Sequence, residues 1–384
     1  MKKLLTIFGC CLALLLFGCS SSNVEPPAPL VKFTPTVQVQ QVWSRSVGDT
    51  DAILHLGVLV ASDGKNVYTA SNNGDVYAFD LKNGSKVWTK SLDQRISGGP
   101  AVADGLVAVA ASNGTVVALD ATTGKERWQV SVNNEILTAP AVGENTVVLH
   151  TTDDHVIALS ADSGKMLWNI SRQPPDLALR GSSAPVIVGD TVYAGLNSGR
   201  LLALKLADGA QRWDVTVARP TGGDALSRLN DLDGVLAEDA GDLYAVTYHG
   251  KVARISSQGG QIQWARSMSS YTGVSVNGDN VYVSDMHGDI WDLKKSSGVP
   301  RWSQPALRAR DVTLPVPYGN TVVVGDLKGY LHFLSDKDGS FVARMQLDSD
   351  PIQAPPIVAG GLLVALSTGG ELAAYRIVPP ATKH

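Results

Sequence analysis

Beyond position 19 the chain holds no cysteine; its three cysteines are Cys10, Cys11 and Cys19. The long remainder therefore has no disulfide framework, no thiol nucleophile and no cysteine-based zinc site. Histidine is sparse, with seven residues and no H-E-x-x-H or H-x-H spacing, which removes the usual helical zinc motifs. There is no G-x-S-x-G elbow, no P-loop and no EF-hand loop. Excess basic charge is missing too. Apart from Lys2 and Lys3, 30 basic residues face 36 acidic ones, a net of −6, and nothing in that balance points to nucleic acid.

What the chain does have is a phrase that returns roughly every forty residues. It reads NGDVYAFDLKNGSKVW from Asn73 to Trp88 and NGTVVALDATTGKERW from Asn113 to Trp128. It returns as DDHVIALSADSGKMLW from Asp153 to Trp168 and SGRLLALKLADGAQRW from Ser198 to Trp213, with weaker copies ending at Trp264 and Trp302. Such a period marks a repeat architecture. In the second copy Val116 to Asp120 reads as a strand apolar on both faces. Asn113-Gly114 before it predicts a type I′ hairpin turn. Thr122 to Gly124 make a second turn, and Lys125 to Val130 an outer strand. Pro100 to Val102 and Leu106 to Ala111 supply two more strands. Four-stranded sheets that cannot bury both faces alone must stack, and stacked around an axis they form a β-propeller.

The turn before the third strand sets Gly74, Gly114, Asp154, Gly199, Gly250, Gly288, Gly329 and Gly370 in register, eight positions in all. The last copy runs out before an outer strand, while Gln41-Val42-Trp43-Ser44 stands without a blade before it. The expected fold is all-β: an eight-bladed propeller of four-stranded antiparallel blades, closed by the N-terminal strand completing the last blade. Trp88, Trp128, Trp168, Trp213, Trp264 and Trp302 each follow a glycine by four residues. They are expected to wedge between blades with the indole N–H on a backbone carbonyl. Ala343 takes that place in the seventh repeat, so one wedge is missing. His249 and His287 share a turn position where positive φ is tolerated, and no metal role is expected for them. Asp80 and Asp120 read as turn caps.

The first eighteen residues read as an export signal, charged at Lys2 and Lys3 and apolar through Phe17. The stretch Leu16-Phe17-Gly18-Cys19 resembles a bacterial lipobox, which implies acylation of Cys19. Ser20, by the same resemblance, implies sorting to the outer membrane. The expected organisation is a signal at 1–18, a lipidated flexible tether at 19–36, the propeller at 37–378 and a tail at 379–384.

The phrase A-x-D-x-x-T-G-x-x-x-W resembles the repeat of quinoprotein dehydrogenases. That resemblance implies a pyrroloquinoline quinone enzyme of the periplasm, or a degenerate cofactor- or ligand-binding relative. Those enzymes typically add a calcium site, a catalytic Asp and often a vicinal cysteine pair. The pair is impossible here, and no acidic cluster stands out.

A functional surface is expected where the repeat breaks. The span from Trp88 to Gly114, like that from Trp128 to Asp154, is 26 residues, but Trp168 to Gly199 takes 31 and Trp213 to Gly250 takes 37. Both insertions lie in connections between blades, on one face, flanking the fourth repeat, the pattern of a binding face. The first holds Leu177, Leu179 and Arg180, apolar groups beside a guanidinium in an exposed loop, which is an interface signature. The second holds Asp224, Arg228, Asp231 and Asp233 and could present carboxylates to a basic partner.

At these residues the chain resembles the BamB family, outer-membrane lipoproteins of the β-barrel assembly machinery. The resemblance implies a non-enzymatic scaffold without cofactor or metal, facing the periplasm as a single copy within the complex. It also implies docking on the POTRA domains of BamA through Leu177, Leu179, Arg180, Asp231 and Asp233, and assistance to nascent barrel proteins. Gly234-Val235-Leu236 departs from the family's usual proline after the second Asp.

Overall fold

The computed structural model describes residues 25–50, 57–179, 183–219, 223 and 229–378. Among them there are strands and turns but no helix, and the strands form eight sheets arranged as the blades of a propeller. Blade 1 holds Ala61–Ser62, Asn66–Ala70, Asp75–Asp80 and Lys86–Ser91, and each later repeat builds the next blade. The expected closure is present. The strand Gln38–Ser46 runs antiparallel to Glu371–Val378, from Gln38 opposite Val378 to Ser46 opposite Glu371, and completes blade 8.

The apolar character of the two inner-lying central strands follows from stacking. Leu106–Ala111 is buried at every residue and Thr115–Asp120 at all but the last, because each blade is covered on both faces by its neighbours. Between blades 3 and 4, for example, Val148, Val156 and Ala158 meet Val192, Ala194, Leu202 and Leu204 around Trp168. The outer strands face water and alternate. In Glu126–Ser131 only Trp128 is buried.

A register slip aims that tryptophan. Against Thr115–Asp120 the pairing jumps between Glu126 and Trp128, and a slip at the same place occurs in all eight blades. Such a bulge bends and twists the strand, turning the indole toward the following blade. There Trp128 Nε1 donates to Ala161 O at 2.7 Å. Trp43, Trp88, Trp168, Trp213, Trp264 and Trp302 make the same bond to Leu81, Ala121, Leu206, Ser257, Lys295 and Asp336, at 2.7–3.1 Å. Three residues past each acceptor comes a glycine at positive φ, and the indole lies flat over it. A Cβ on Gly164 would stand 2.7 Å from the Trp128 ring. Tyr68, Tyr193, Tyr244 and Tyr282 pack beside the tryptophan of their own blade, with ring centroids 5.8–6.3 Å apart.

Trp43 thus serves blade 8 as the others serve theirs, a role the repeat phrase alone does not reveal. Ala343 leaves blade 7 without a wedge, and the reason is topological. In blade 8 the third and fourth strands come from opposite ends of the chain, so no turn glycine exists for an indole to cover. Tyr318 crosses this seam instead, its hydroxyl donating to Gly361 O at 2.8 Å. Beside it an open cleft of about 790 Å³ is lined by Val37, Val39, Ala343, Met345 and Ile377.

Three details differ from the sequence reading. Blade 2 has a fifth strand, Gly57–Val58, running parallel to Ile96–Ala103. The turn at Asn113-Gly114 is not type I′: only Gly114 has positive φ. Gly114 N–H donates to Ala111 O at 3.0 Å, closing a turn with one left-handed residue after it, the other common hairpin solution. Finally, the segment from Glu25 to Val37, expected as part of a flexible-to-extended tether, is extended and is pinned along blade 7. Phe33 stacks on Phe341 at 5.6 Å, and Val37 N–H donates to Val342 O at 3.1 Å.

The indole-on-glycine contact sets a measurable contrast. Gly64 and Gly164 both have positive φ, but nothing lies within 4 Å of a Cβ at Gly64. Gly64→Ala should cost about 1 kcal/mol for its backbone. Gly164→Ala must also displace Trp128 and should cost roughly 2 kcal/mol more, in the range of overpacked cores. Thermal unfolding of the two variants checks this; equal shifts would mean the indole is not seated on the glycine.

Candidate partner-docking site

The backbone fixes which face carries the inserted loops. Where the outer strands of blades 2, 3 and 4 end, a backbone N–H returns to the turn before the third strand of the same blade: Val132 to Gly114 O, Arg172 to Asp154 O and Val217 to Gly199 O, at 2.9–3.1 Å. Both insertions begin at such a bond, so they rise from one face on either side of blade 4.

In the first insertion Pro174, Pro175 and Asp176 are exposed, and Leu177 stands 43% exposed on the loop tip. Leu179 is half-buried. Arg180 lies outside the described residues, as do Asp224 and Arg228 of the second insertion.

The described part of the second insertion is packed, not solvated. Leu229, Leu232 and Leu236 are buried. Leu232 lies against Gly195, where it leaves no room for a Cβ. Asn230 Nδ2 donates to Ala218 O at 2.7 Å, and Tyr248 N–H donates to Asp231 O at 2.9 Å.

Among the described residues the two insertions meet at a hydrogen bond. Leu179 N–H donates to the Asp231 carboxylate across 52 residues of sequence. Asp231 is therefore buried, only 1% exposed, and it holds the Leu loop rather than offering a free carboxylate to the solvent. This corrects the expectation drawn from its sequence position. A lone aspartate in a polar stretch gives no sign that a distant backbone N–H will claim it.

Beneath the contact lies a cluster of buried oxygen acceptors. Asp233 is half-buried with its Oδ1 enclosed, and Asp154 and Asn197 are buried. Asp154 Oδ2, Asn197 Oδ1, Asp231 Oδ1 and Asp233 Oδ1 are enclosed acceptors with no hydrogen-bond donor among the described residues. His150, also buried, points Nε2 at Asp154 Oδ1 from 3.4 Å, and its Nδ1 bonds Ser183 O at 3.0 Å. Burial raises Asp231 to about 6, against the Leu179 N–H that favours its charge. Burial, then the charges of Asp231 and Asp154, raise Asp233 to about 8. Carboxyls so displaced are costly to the fold and mark a functional candidate.

Elsewhere the candidate chemistry resolves into structure. Asp120 Oδ1 caps its turn by accepting the N–H groups of Thr122 and Thr123, and Asp80 does the same for Lys82 and Asn83. His249 has a φ of 48°. Among the described residues no group of three or more His, Asp or Glu is placed to hold a metal ion.

With this geometry in view, the relatives are informative. A family model described as outer membrane protein assembly factor BamB matches residues 37–96 and 72–304. A Pseudomonas aeruginosa protein of that name is 49% identical, covering 95% of this chain and 97% of its own. The chain belongs to the BamB family. A crystal structure of a BamB from Moraxella catarrhalis superposes with a TM-score of 0.81 at 26% identity, covering 88% of this chain and all of that one. A europium-containing methanol dehydrogenase superposes with a TM-score of 0.70 at 15% identity, over 88% of this chain and 93% of its own, which shows a shared fold.

Two outcomes follow for the pocket. Asp231→Ala should free the Leu loop at a cost of about 1–3 kcal/mol, read as faster amide exchange at Leu177 to Leu179, while Asp231→Asn keeps an acceptor and retains most protection. Asp233 binds its proton more tightly folded than unfolded, so stability should fall as pH rises from ~4, its ordinary value, to about 8. Asp233→Asn should remove Asp233's share of that slope, leaving a shallower one from carboxyls such as Asp231, and gain on the wild type by a few degrees in Tm at the upper end. Parallel melting curves for the two proteins across this range would refute it.

Proposed function

We propose that the chain is a non-enzymatic accessory of outer-membrane β-barrel assembly, held by a lipid on Cys19 at the periplasmic side of the outer membrane. It docks on the POTRA domains of BamA through Leu177, Leu179 and Arg180, with Asp231 and Asp233 beneath them, and keeps that arm placed for efficient folding of barrel proteins. The relatives' shared name supports the assembly role.

The observation that carries the docking site is an exposed leucine on a loop latched to a neighbouring loop. Exposed apolar side chains on soluble proteins are ordinary when scattered. Leu177 instead sits on an insertion whose backbone is fixed at Leu179 by a buried carboxylate, so docking loses little loop entropy. Arg180 would add a planar fork for a partner carboxylate or carbonyl. A cationic side chain arriving at Asp233 would relieve the unpaired acceptors.

Binding of the purified periplasmic arm of BamA tests this. Leu177→Ala with Leu179→Ala removes at least about 3 kcal/mol of apolar burial if both are covered, on the order of 100-fold in affinity. Unchanged affinity would move the interface elsewhere on the ring. Saturable turnover of a redox dye with pyrroloquinoline quinone and calcium would overturn the non-enzymatic reading.

A further inference from the structure

The segment before the ring is fastened at several points on blade 7 and on the connection that leads into it. The Glu25 carboxylate pairs with Arg308 at 2.9 Å, and Ala28 N–H donates to Arg308 O at 2.9 Å. Arg310 reaches back to Ala28 O at 2.8 Å while its guanidinium pairs with buried Asp326 at 2.7 Å. Arg344 donates to Val31 O at 3.1 Å and lies beside the stacked rings of Phe33 and Phe341, 5.0 and 5.3 Å from their centroids. Its Nε donates to His332 Nδ1 at 3.1 Å, and His332 Nε2 bonds Asp326 at 2.8 Å. One buried network thus grips the strap at two carbonyls.

The strap has a direction. At Val37 it meets the start of blade 7's outer strand, and Gln38 pairs with Val378 at the last described residue of the third strand of blade 8. That end belongs to the face opposite the inserted loops. At Glu25 and Ala28 it reaches the connection from blade 6 to blade 7, where Ala309 N–H returns to His287 O at 2.8 Å. His287 lies in blade 6's turn before the third strand, and the inserted loops rise beside the same turn of blades 3 and 4, so Glu25 lies on the same face as Leu177 and Asp231. Only residues 20–24 separate it from Cys19, a reach of at most about 20 Å, against about 60 Å if the chain were free back to Gln38.

We infer that the loop face of the ring is turned toward the phospholipid surface at the blade 6–7 side, so that a partner docked on the Leu177 loop lies on the membrane side of the ring. This rests on the proposed acylation of Cys19. It constrains the docking angle, because partner and membrane share one face.

The test uses the full lipidated chain on vesicles of phosphatidylethanolamine and phosphatidylglycerol carrying a headgroup acceptor dye. A donor dye is placed at Lys328→Cys, exposed in blade 7's turn before the third strand, or at Lys337→Cys, exposed in the turn on the opposite face. Energy transfer should be strong from position 328 and weak from position 337. A Gly/Ser segment of about 20 residues inserted between Val24 and Glu25 leaves the strap and ring untouched but lengthens the leash, and should abolish the difference. Equal transfer from the two positions in the parent chain, with the lipid present by intact mass, would overturn the orientation. An intact mass without lipid, and a chain that stays off the vesicles, would overturn the anchor and the orientation with it.

Discussion

The ring depends on one contact made seven times: an indole N–H donating to a carbonyl of the next blade while the ring face covers a glycine. Each part needs the others. The bulge rotates the tryptophan out of its own sheet, the turn places a carbonyl within reach, and the absent Cβ lets the indole approach. A buried indole left unpaired would cost much of what its area contributes. Because the donor and the acceptor sit in successive repeats, the contact fixes both spacing and rotation between blades. The blades are then held by geometry as well as by the apolar faces between them.

The proposed docking surface is made where that regularity is interrupted. Two lengthened connections flank blade 4 and are tied to each other at Leu179 and Asp231. The ring supplies a rigid base, and the insertions are free of the packing rule that fixes the rest. The buried cluster below them keeps carboxyls that burial makes unfavourable. A ring with this much buried apolar surface can carry such a local penalty.

Much of this was legible in the sequence because repetition multiplies weak signals. A single strand-turn-strand phrase is ambiguous, but eight turn residues in register set the blade number, and the unpaired Trp43 strand indicated the closure. The break points were visible as spacing. What could not be read was anything decided by a contact between distant segments. Asp231 looks like a surface carboxylate until Leu179 claims it. Pro26, Pro27 and Pro29 suggest a loose tether, yet the segment from Glu25 is gripped by Arg310 and Arg344, more than 280 residues away in sequence. The family resemblance, in turn, pointed to Leu177 and Asp231 together, and the structure places them on adjoining loops.

The closure of blade 8 also sets an order in time. Gln38–Ser46 is made early in synthesis and its partner Glu371–Val378 is made last. Until the final strand arrives, the first has no sheet to join, Trp43 has a glycine ahead of it but no blade behind, and the row of repeats is an open stack with two raw ends. Pairings this remote in sequence are slow to form and leave unpaired edges exposed meanwhile. A protein of this design therefore completes itself only as a whole chain, and a truncation of even the last strand removes the join between its beginning and its end.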